Sequence, residues 1–277
     1  MKKIKALAVF NALALIIQLV VTYVIQTKAV FPQDVSEVSA KYESLLTPAG
    51  FTFAIWGLIY TLLIILCLYH IVIAYKHEKY HPANKELEKM GSLFIIVNLA
   101  SAAWLIAWVK EELLVSVILI AVQLIGLIAI HHRLGMYNTL KAAGLKVCNQ
   151  FPLSIYLGWI GIATIANVSS FLVAQQWSGF GLPALQWAII LISTAVFIAA
   201  FMILIRRNIY FGLVIAWGLY GIIVKRAAIN EALYSPIIVS AWAGIGIIGL
   251  LAIIQLVRNI SYKKPREIFP AAPIPLK

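Results

Sequence analysis

The chain has 277 residues, of which 63% are hydrophobic and 12% charged, and its formal net charge is +12. Its mean hydropathy of +0.96 indicates a protein that is solvated by lipid. The positive charge does not indicate nucleic-acid binding, because the Lys and Arg residues lie at the ends of apolar runs instead of gathering on one face or arm. The composition therefore predicts an integral membrane protein.

Apolar runs long enough to cross a hydrocarbon core as a helix recur along almost the whole chain. The runs are continuously apolar, which favours helices over barrel strands, where hydrophobic residues alternate. The predicted fold class is therefore all-α, a polytopic transmembrane helix bundle with about eight spans. In chain order the predicted spans are 4–26, 51–75, 91–109, 113–130, 151–173, 185–205, 210–224 and 236–257.

The orientation of these spans follows from the distribution of positive charge. All but five of the 22 Lys and Arg residues fall on one side of the predicted membrane. Because loops rich in Lys and Arg stay in the cytoplasm, both termini are expected there, and this requires an even number of spans. We expect the bacterial inner (plasma) membrane as the location. The five residues on the other side are Lys28, Lys41, Lys110, Lys225 and Arg226.

The spans carry little of the chemistry that pumps or enzymes need. They contain essentially no Asp, Glu, Lys or Arg, which weighs against a proton-coupled pump or a cation channel. No Walker A, HExxH or GxSxG motif occurs, so no catalytic residue and no metal site is predicted. His70, near the inner end of the second span, is open to two interpretations: an axial haem ligand, or more commonly a hydrogen-bonded or snorkelling histidine.

Tryptophan and amide side chains are the most informative residues inside the spans. Trp108, Trp177 and Trp187 fit the outer interface belt. Other indoles lie deeper, where the N–H needs a partner or a polar cavity, and they are interpreted as helix packing or as walls of a cavity for a flat apolar ligand. These deeper residues are Trp56, Trp104, Trp159, Trp217 and Trp242. Intramembrane amides allow the same two interpretations, and they are Asn98, Gln123, Asn149 and Asn167.

Two segments resemble the TspO/MBR family, the tryptophan-rich sensory proteins related to the mitochondrial translocator protein. Residues 47–60, Thr-Pro-Ala-Gly-Phe-Thr-Phe-Ala-Ile-Trp-Gly-Leu-Ile-Tyr, resemble the entry to the family's second helix, without its aromatic-Pro pair. Residues 152–167 resemble the fifth-helix signature and keep its Trp, Ala, Thr and Asn at their mutual spacing. The third-helix motif is loosely recognisable in residues 98–108.

The resemblance implies a five-helix bundle with a ligand cavity that opens towards the first loop. Ligands of the family include porphyrins, and cholesterol binding is described for its animal members. No cofactor is firmly implied, and a porphyrin or haem is the candidate ligand. The implied ligand-binding residues are Trp56, Tyr60, Asn98, Trp104, Trp159, Ala163 and Asn167.

The resemblance covers residues 1–175, which are predicted to form a TspO-like five-helix membrane domain. Residues 176–260 are predicted to add three transmembrane helices, and residues 261–277 a disordered cytoplasmic tail. The expected function is binding or sensing of a hydrophobic planar ligand such as a tetrapyrrole. The alternatives are a transporter of a small apolar or zwitterionic solute, and a membrane enzyme acting on lipid or tetrapyrrole. The expected partners are membrane lipids and the hydrophobic ligand, with a homodimer left open and no nucleic acid.

Overall fold

A computed structural model describes residues 1–136 and 141–261, and no residue in these two ranges lies in a β-strand. The predicted tail lies outside the described residues except for Ser261. A 3-10 turn at Gly50–Ala54 leads into α3, and a π-helical turn at Lys146–Gln150 leads into α8. The helices are α1 Lys2–Gln26, α2 Val35–Lys41, α3 Ile55–Lys76, α4 Pro82–Met90, α5 Leu93–Val109, α6 Leu113–Leu134, α7 Ala143–Leu145, α8 Phe151–Ala174, α9 Ala184–Leu204, α10 Ile209–Asn230 and α11 Ser235–Ser261.

The helical membrane fold is confirmed. Within the described residues, seven helices are each long and apolar enough to cross a membrane. An eighth span is obtained when α4 and α5 are counted together as one helix bent by 53°. The bend lies at Gly91, whose φ of +57° ends α4 in a conformation that glycine adopts without steric cost.

The seventh predicted span differs from the structure at its end. The prediction stops at residue 224, before the basic pair Lys225 and Arg226, whereas α10 continues through both residues to Asn230. Both basic side chains form ion pairs with Glu43 of the first loop. Their charges are therefore compensated by a distant residue, which a local hydropathy pattern does not reveal.

The C-terminal helices pack directly against the predicted five-helix unit. Helix α1 contacts α3 and α5, α6 lies between α5 and α8, and α10 joins α8 to α9 and α11. At Gly158 of α8, an added Cβ would lie 2.9 Å from Cβ of Val214 and 3.1 Å from the carbonyl oxygen of Phe211. Helices α8 and α10 therefore approach as closely as a missing side chain allows.

Helix α10 also holds in place the start of residues 47–60, the segment that resembles the family's second-helix entry and is called the first-loop motif below. The backbone N–H of Ala49 donates to the carbonyl of Gly221 at 3.0 Å, and Nε1 of Trp217 donates to the carbonyl of Thr52 at 3.0 Å. A Cβ on Gly221 would lie 2.2 Å from Oγ1 of Thr52. The segment that carries the family motif is thus fixed by a helix outside the predicted five-helix domain.

Candidate ligand-binding site

A cavity of about 50 Å³ lies at the end of the bundle that carries the first loop and α2. Helices α3, α5, α8 and α10 surround it, and α2 covers it. Its lining includes five aromatic side chains: Phe53, Trp56, Trp104, Trp108 and Trp159. The cavity is therefore aromatic on several sides and has no charged residue in its lining.

The aromatic rings of the wall pack against one another around Trp159. The Trp56 ring lies 6.2 Å from the Trp159 ring at 83°, and the Phe53 ring lies 6.0 Å from it at 84°. Trp56 also stacks on Tyr60, four residues later on α3, with 5.2 Å between the ring centroids. These edge-to-face and offset contacts are the arrangements that aromatic quadrupoles favour, so the rings of the wall stabilise one another.

A chain of hydrogen bonds connects three helices behind this wall. Nε1 of Trp104 donates to Oδ1 of Asn167 at 2.9 Å, and Nδ2 of Asn167 donates to Oγ of Ser116 at 2.9 Å. Ser116 in turn donates to the carbonyl of Leu113 at 2.7 Å. Asn167 therefore lines the cavity and links α5, α8 and α6, so both interpretations of the intramembrane amide apply to it.

Trp159 differs from Trp104 because its N–H is not satisfied. The side chain lines the cavity and is 3% exposed, and Nε1 has no acceptor within the described part of the chain. A buried donor without a partner costs about 1–3 kcal/mol. Ala163 lies one turn further along α8 and also lines the cavity, where its small side chain leaves space.

Two of the seven residues implied by the resemblance lie outside the cavity lining. Tyr60 stacks behind Trp56, and its hydroxyl is 3.0 Å from Oγ1 of Thr22 on α1. Asn98 is fully buried, and its Nδ2 donates to the carbonyl of Phe94 within the same helix. Trp56, Trp104, Trp159, Ala163 and Asn167 do line it, and ligand contact by any of the seven stays a prediction.

The sequence analysis did not assign Trp108 to the cavity. This residue, expected in the interface belt, is 4% exposed, stacks on Trp104 at 5.7 Å and donates from Nε1 to the carbonyl of Val35. Its position four residues after Trp104 was the available signal, because that spacing places two side chains on one helical face. The lining also includes Gly218 and Ile222 of α10, which no sequence motif indicates.

Helix α2 closes the cavity and is anchored by Glu111, in the turn between α5 and α6. Asp34 begins α2 with a capping box that includes Glu37. The Glu111 carboxylate accepts hydrogen bonds from Lys41 at 2.6 Å, from the Tyr42 hydroxyl at 2.5 Å and from Gln33 at 2.9 Å. The bonds from Lys41, Tyr42 and Gln33 lower the pKa of Glu111 to about 2.

A second anchor holds the loop that follows α2. Glu43 forms ion pairs with Arg226, which is 2% exposed, and with Lys225 at 3.2 Å. Burial raises the pKa of Glu43, but the bonds from Arg226 and Lys225 outweigh this effect and leave the pKa below its ordinary value. The cover of the cavity is therefore held by carboxylates on two sides.

With its cover in place, the cavity is too small for a haem or another tetrapyrrole. Sites for drug-sized ligands measure about 300–1,000 Å³, whereas this cavity measures about 50 Å³. His70 lies on α3 about 21 Å from Trp56 along the helix axis, at ~1.5 Å per residue, so it does not reach the cavity. Within the described ranges, no group of three or more His, Cys, Asp or Glu residues is arranged to hold a metal ion.

The fold and this site define a polytopic helical membrane protein with a covered, tryptophan-walled cavity. The model of the family described as TSPO-like protein matches residues 8–254, and the chain belongs to this family. The match continues past residue 175, so it includes all three C-terminal helices, and the predicted division into a five-helix domain and an extension stays a prediction. Neither the curated proteins nor the solved structures contain a match to the chain.

Proposed function

We propose that this TSPO-like membrane protein binds a flat, apolar molecule that carries one hydrogen-bond acceptor, in the cavity between Trp56 and Trp159. The observation that carries the proposal is the buried N–H of Trp159, which has no acceptor in the described structure although it belongs to a cavity wall. A ligand acceptor placed against this N–H would remove the cost of about 1–3 kcal/mol that the unpaired donor imposes.

The aromatic wall supports the choice of a flat ligand. Stacked and edge-to-face ring pairs contribute roughly 0.5–1.5 kcal/mol beyond the burial of their area. The rings of Phe53 and Trp56 both lie at steep angles to the ring of Trp159, so a planar molecule would have both a face and an edge to contact. A charged ligand has no counter-ion in this lining.

The small volume of the cavity makes its cover part of the proposed function. An engineered cavity that binds benzene measures about 150 Å³, so a ring system enters this cavity of about 50 Å³ only if the cover moves. The cover is held by Glu111 and Glu43, whose hydrogen bonds water can replace at the membrane surface. A tetrapyrrole requires a wider opening than a bicyclic ligand, and it remains the larger candidate.

The proposal is tested with two probes of the same shape, quinoline, which has a ring nitrogen acceptor, and naphthalene, which has none. Their dissociation constants are measured on the purified protein, on Trp159→Phe and on the control Trp242→Phe. Trp242 is 51% exposed and lies outside the cavity lining. Wild type and Trp242→Phe should bind quinoline about tenfold more tightly than naphthalene, as one recovered hydrogen bond implies, and Trp159→Phe should bind both equally.

The proposal fails if wild type binds the two probes equally, or if Trp242→Phe loses the preference as Trp159→Phe does. Protoporphyrin IX serves as a third probe. Binding of protoporphyrin that Ala163→Leu abolishes would extend the ligand class to tetrapyrroles, because the larger side chain fills the same cavity one turn from Trp159. Binding that Ala163→Leu leaves unchanged would place the porphyrin elsewhere.

Transport and membrane enzymology, the two alternatives from the sequence, receive less support. Transporter sites form where spans are broken near the midplane, whereas the bent pair breaks at Gly91, between the end of α4 and the start of α5. The proposed topology has both termini in the cytoplasm of a bacterium. Reporter fusions at Lys110 and Gln176 should report outside and a fusion at Lys85 inside, and the reverse pattern would contradict the topology.

A further inference from the structure

A second, larger space lies on the side of the bundle between α8 and α9. This groove, called the α8–α9 groove below, has a volume of about 800 Å³ and lies within the size range of ligand sites. Its long wall runs along α8 from Thr164 to Val173, about 14 Å at ~1.5 Å per residue. Val173 is 46% exposed and Leu182 is 41% exposed, so the groove opens on the surface of the bundle that faces lipid.

The walls of the groove are aliphatic along most of their length and aromatic at one end. Trp177 and Trp187 lie there with their ring centroids 5.3 Å apart. Nε1 of Trp187 donates to the carbonyl of Gly179 at 2.8 Å, which fixes this end of the groove against the loop between α8 and α9. Paired indoles at the end of an apolar groove are typical of the level of lipid headgroups.

The same end of the groove carries a positive charge that is only partly compensated. Among the lining residues, Glu43 and Arg226 are charged and form an ion pair, and Lys225 contacts the same carboxylate. Two cations against one carboxylate leave one net positive charge. One further anionic group would neutralise it.

Arg226 has hydrogen-bonding capacity left over. The residue is 2% exposed, NH2 donates to Glu43, and the guanidinium lies 5.4 Å from the centroid of the Tyr234 ring. Its Nε is buried and has no partner anywhere in residues 1–136 or 141–261. A buried guanidinium that lacks one acceptor, in a residue that lines a groove, points to an anionic ligand atom.

We infer that the α8–α9 groove binds an anionic phospholipid, with an acyl chain along α8 and the headgroup phosphate beside Arg226. The site is separate from the tryptophan cavity, although Leu46 lines both spaces. The aliphatic wall is suited to contact with an acyl chain. The net positive charge of the cluster of Glu43, Lys225 and Arg226 favours a headgroup with a net negative charge over a zwitterionic one. The two proposals can therefore fail independently.

The test compares phosphatidylglycerol with phosphatidylcholine that carries the same acyl chains. Lipid retained by the full chain is counted by native mass spectrometry, and the dissociation constants are measured by quenching of tryptophan fluorescence with brominated chains, which Trp177 and Trp187 report. Wild type should bind phosphatidylglycerol about tenfold more tightly, because hydrogen bonds to charged groups are the stronger class.

Charge variants test the headgroup. Arg226→Gln should remove the preference for phosphatidylglycerol, and Lys110→Gln is the matched control, since it removes one positive charge at the same end of the bundle from a residue that does not line the groove. Glu43→Gln should increase the preference because it raises the net charge of the cluster. If Arg226→Gln does not fold, Lys225→Gln reduces the same net charge from a less buried position and should reduce the preference.

Two substitutions by a larger side chain test whether an acyl chain lies in the groove. Val168→Phe fills the middle of the groove on α8 and should lower the retention of phosphatidylglycerol about tenfold, whereas Val239→Phe, at a site on α11 that is 65% exposed, should leave it unchanged. The inference is overturned if wild type retains the two lipids equally. It is also overturned if Val168→Phe behaves as Val239→Phe does, or if folded charge variants keep the wild-type preference.

Discussion

The tryptophan cavity and the α8–α9 groove lie at the same end of the bundle and differ in every property that decides what binds. The cavity is small, partly enclosed, rich in aromatic side chains and uncharged, with a volume of about 50 Å³, and its free group is one indole N–H. The groove is open, mostly aliphatic and about 800 Å³ in volume, and its free group belongs to a guanidinium. Size alone would have favoured the groove as the functional site, whereas the chemistry of the walls assigns the two spaces to different ligands.

The two spaces also differ in how far apart in the sequence their key residues lie. Trp56 and Tyr60 share one turn of α3, and Trp159 and Ala163 share one turn of α8, so periodicity is enough to bring each pair together. The groove depends on Arg226 and Glu43, which are 183 residues apart. The predictions below concern mainly the tryptophan cavity, and each is paired with a matched control.

The largest effect is expected where α10 holds the first-loop motif. Gly221→Ala places a Cβ 2.9 Å from Pro48 and 2.2 Å from Thr52, and this overpacking should lower the free energy of unfolding by about 1–3 kcal/mol. The displaced loop should also weaken quinoline binding. Gly246→Ala is the control, because a Cβ there has no neighbour within 4 Å. Equal thermal unfolding curves for the two variants would show that this contact is not a constraint.

The second-largest effect should distinguish Asn167 from Asn98, two buried amides inside the spans. Asn167→Ala removes the acceptor of Trp104 and the donor to Ser116, which should cost about 1–3 kcal/mol of stability. It should also weaken quinoline binding, because Trp104 is then free to turn. Asn98→Ala removes an amide that bonds only to its own helix and should leave quinoline binding unchanged. If both variants change binding equally, Asn167 has no specific role at the cavity.

These contrasts show which features of the fold and the cavity can be predicted from the sequence and which cannot. The spans and the positions of Trp56, Trp159, Ala163 and Asn167 follow from hydropathy and motif spacing, since both are local. Trp108 was expected in the outer interface belt. The rotation of α5 about its axis, which the sequence alone does not give, directs this side chain inwards. The closed state of the cavity was also unpredicted, because it depends on contacts of Glu111 with residues 33–42 that are about 70 positions away.

The smallest effect is expected at the cover. Glu111→Gln removes the ion pair with Lys41, and exposed pairs contribute little, so quinoline association measured by stopped flow should accelerate only about two- to fivefold. The groove should be unaffected. Lys28→Gln, which removes an exposed ion pair with Glu37 within the same loop, is the control and should leave the rate unchanged.

Acidification should have the same effect as Glu111→Gln. The pKa of Glu111 is about 2 in the folded protein against an ordinary value of 4.5. Because the folded pKa is the lower one, the contribution of the carboxylate to closure is complete above about pH 4.5 and is lost as the pH falls towards 2. Quinoline association should therefore accelerate over this range in wild type and accelerate less in Glu111→Gln, where only the second anchor, Glu43, remains to be protonated. A wild-type rate that does not depend on pH would contradict the role of Glu111 as an anchor.

The assignment of the two spaces is tested most directly by locating a bound flat ligand. A crystal structure with 6-bromoquinoline gives the position of the bromine by anomalous scattering. The account predicts one site between Trp56 and Trp159, beneath α2, with the ring nitrogen within hydrogen-bonding distance of Nε1 of Trp159. Bromine in the α8–α9 groove, with the tryptophan cavity unchanged and Trp159 still unpaired, would contradict it.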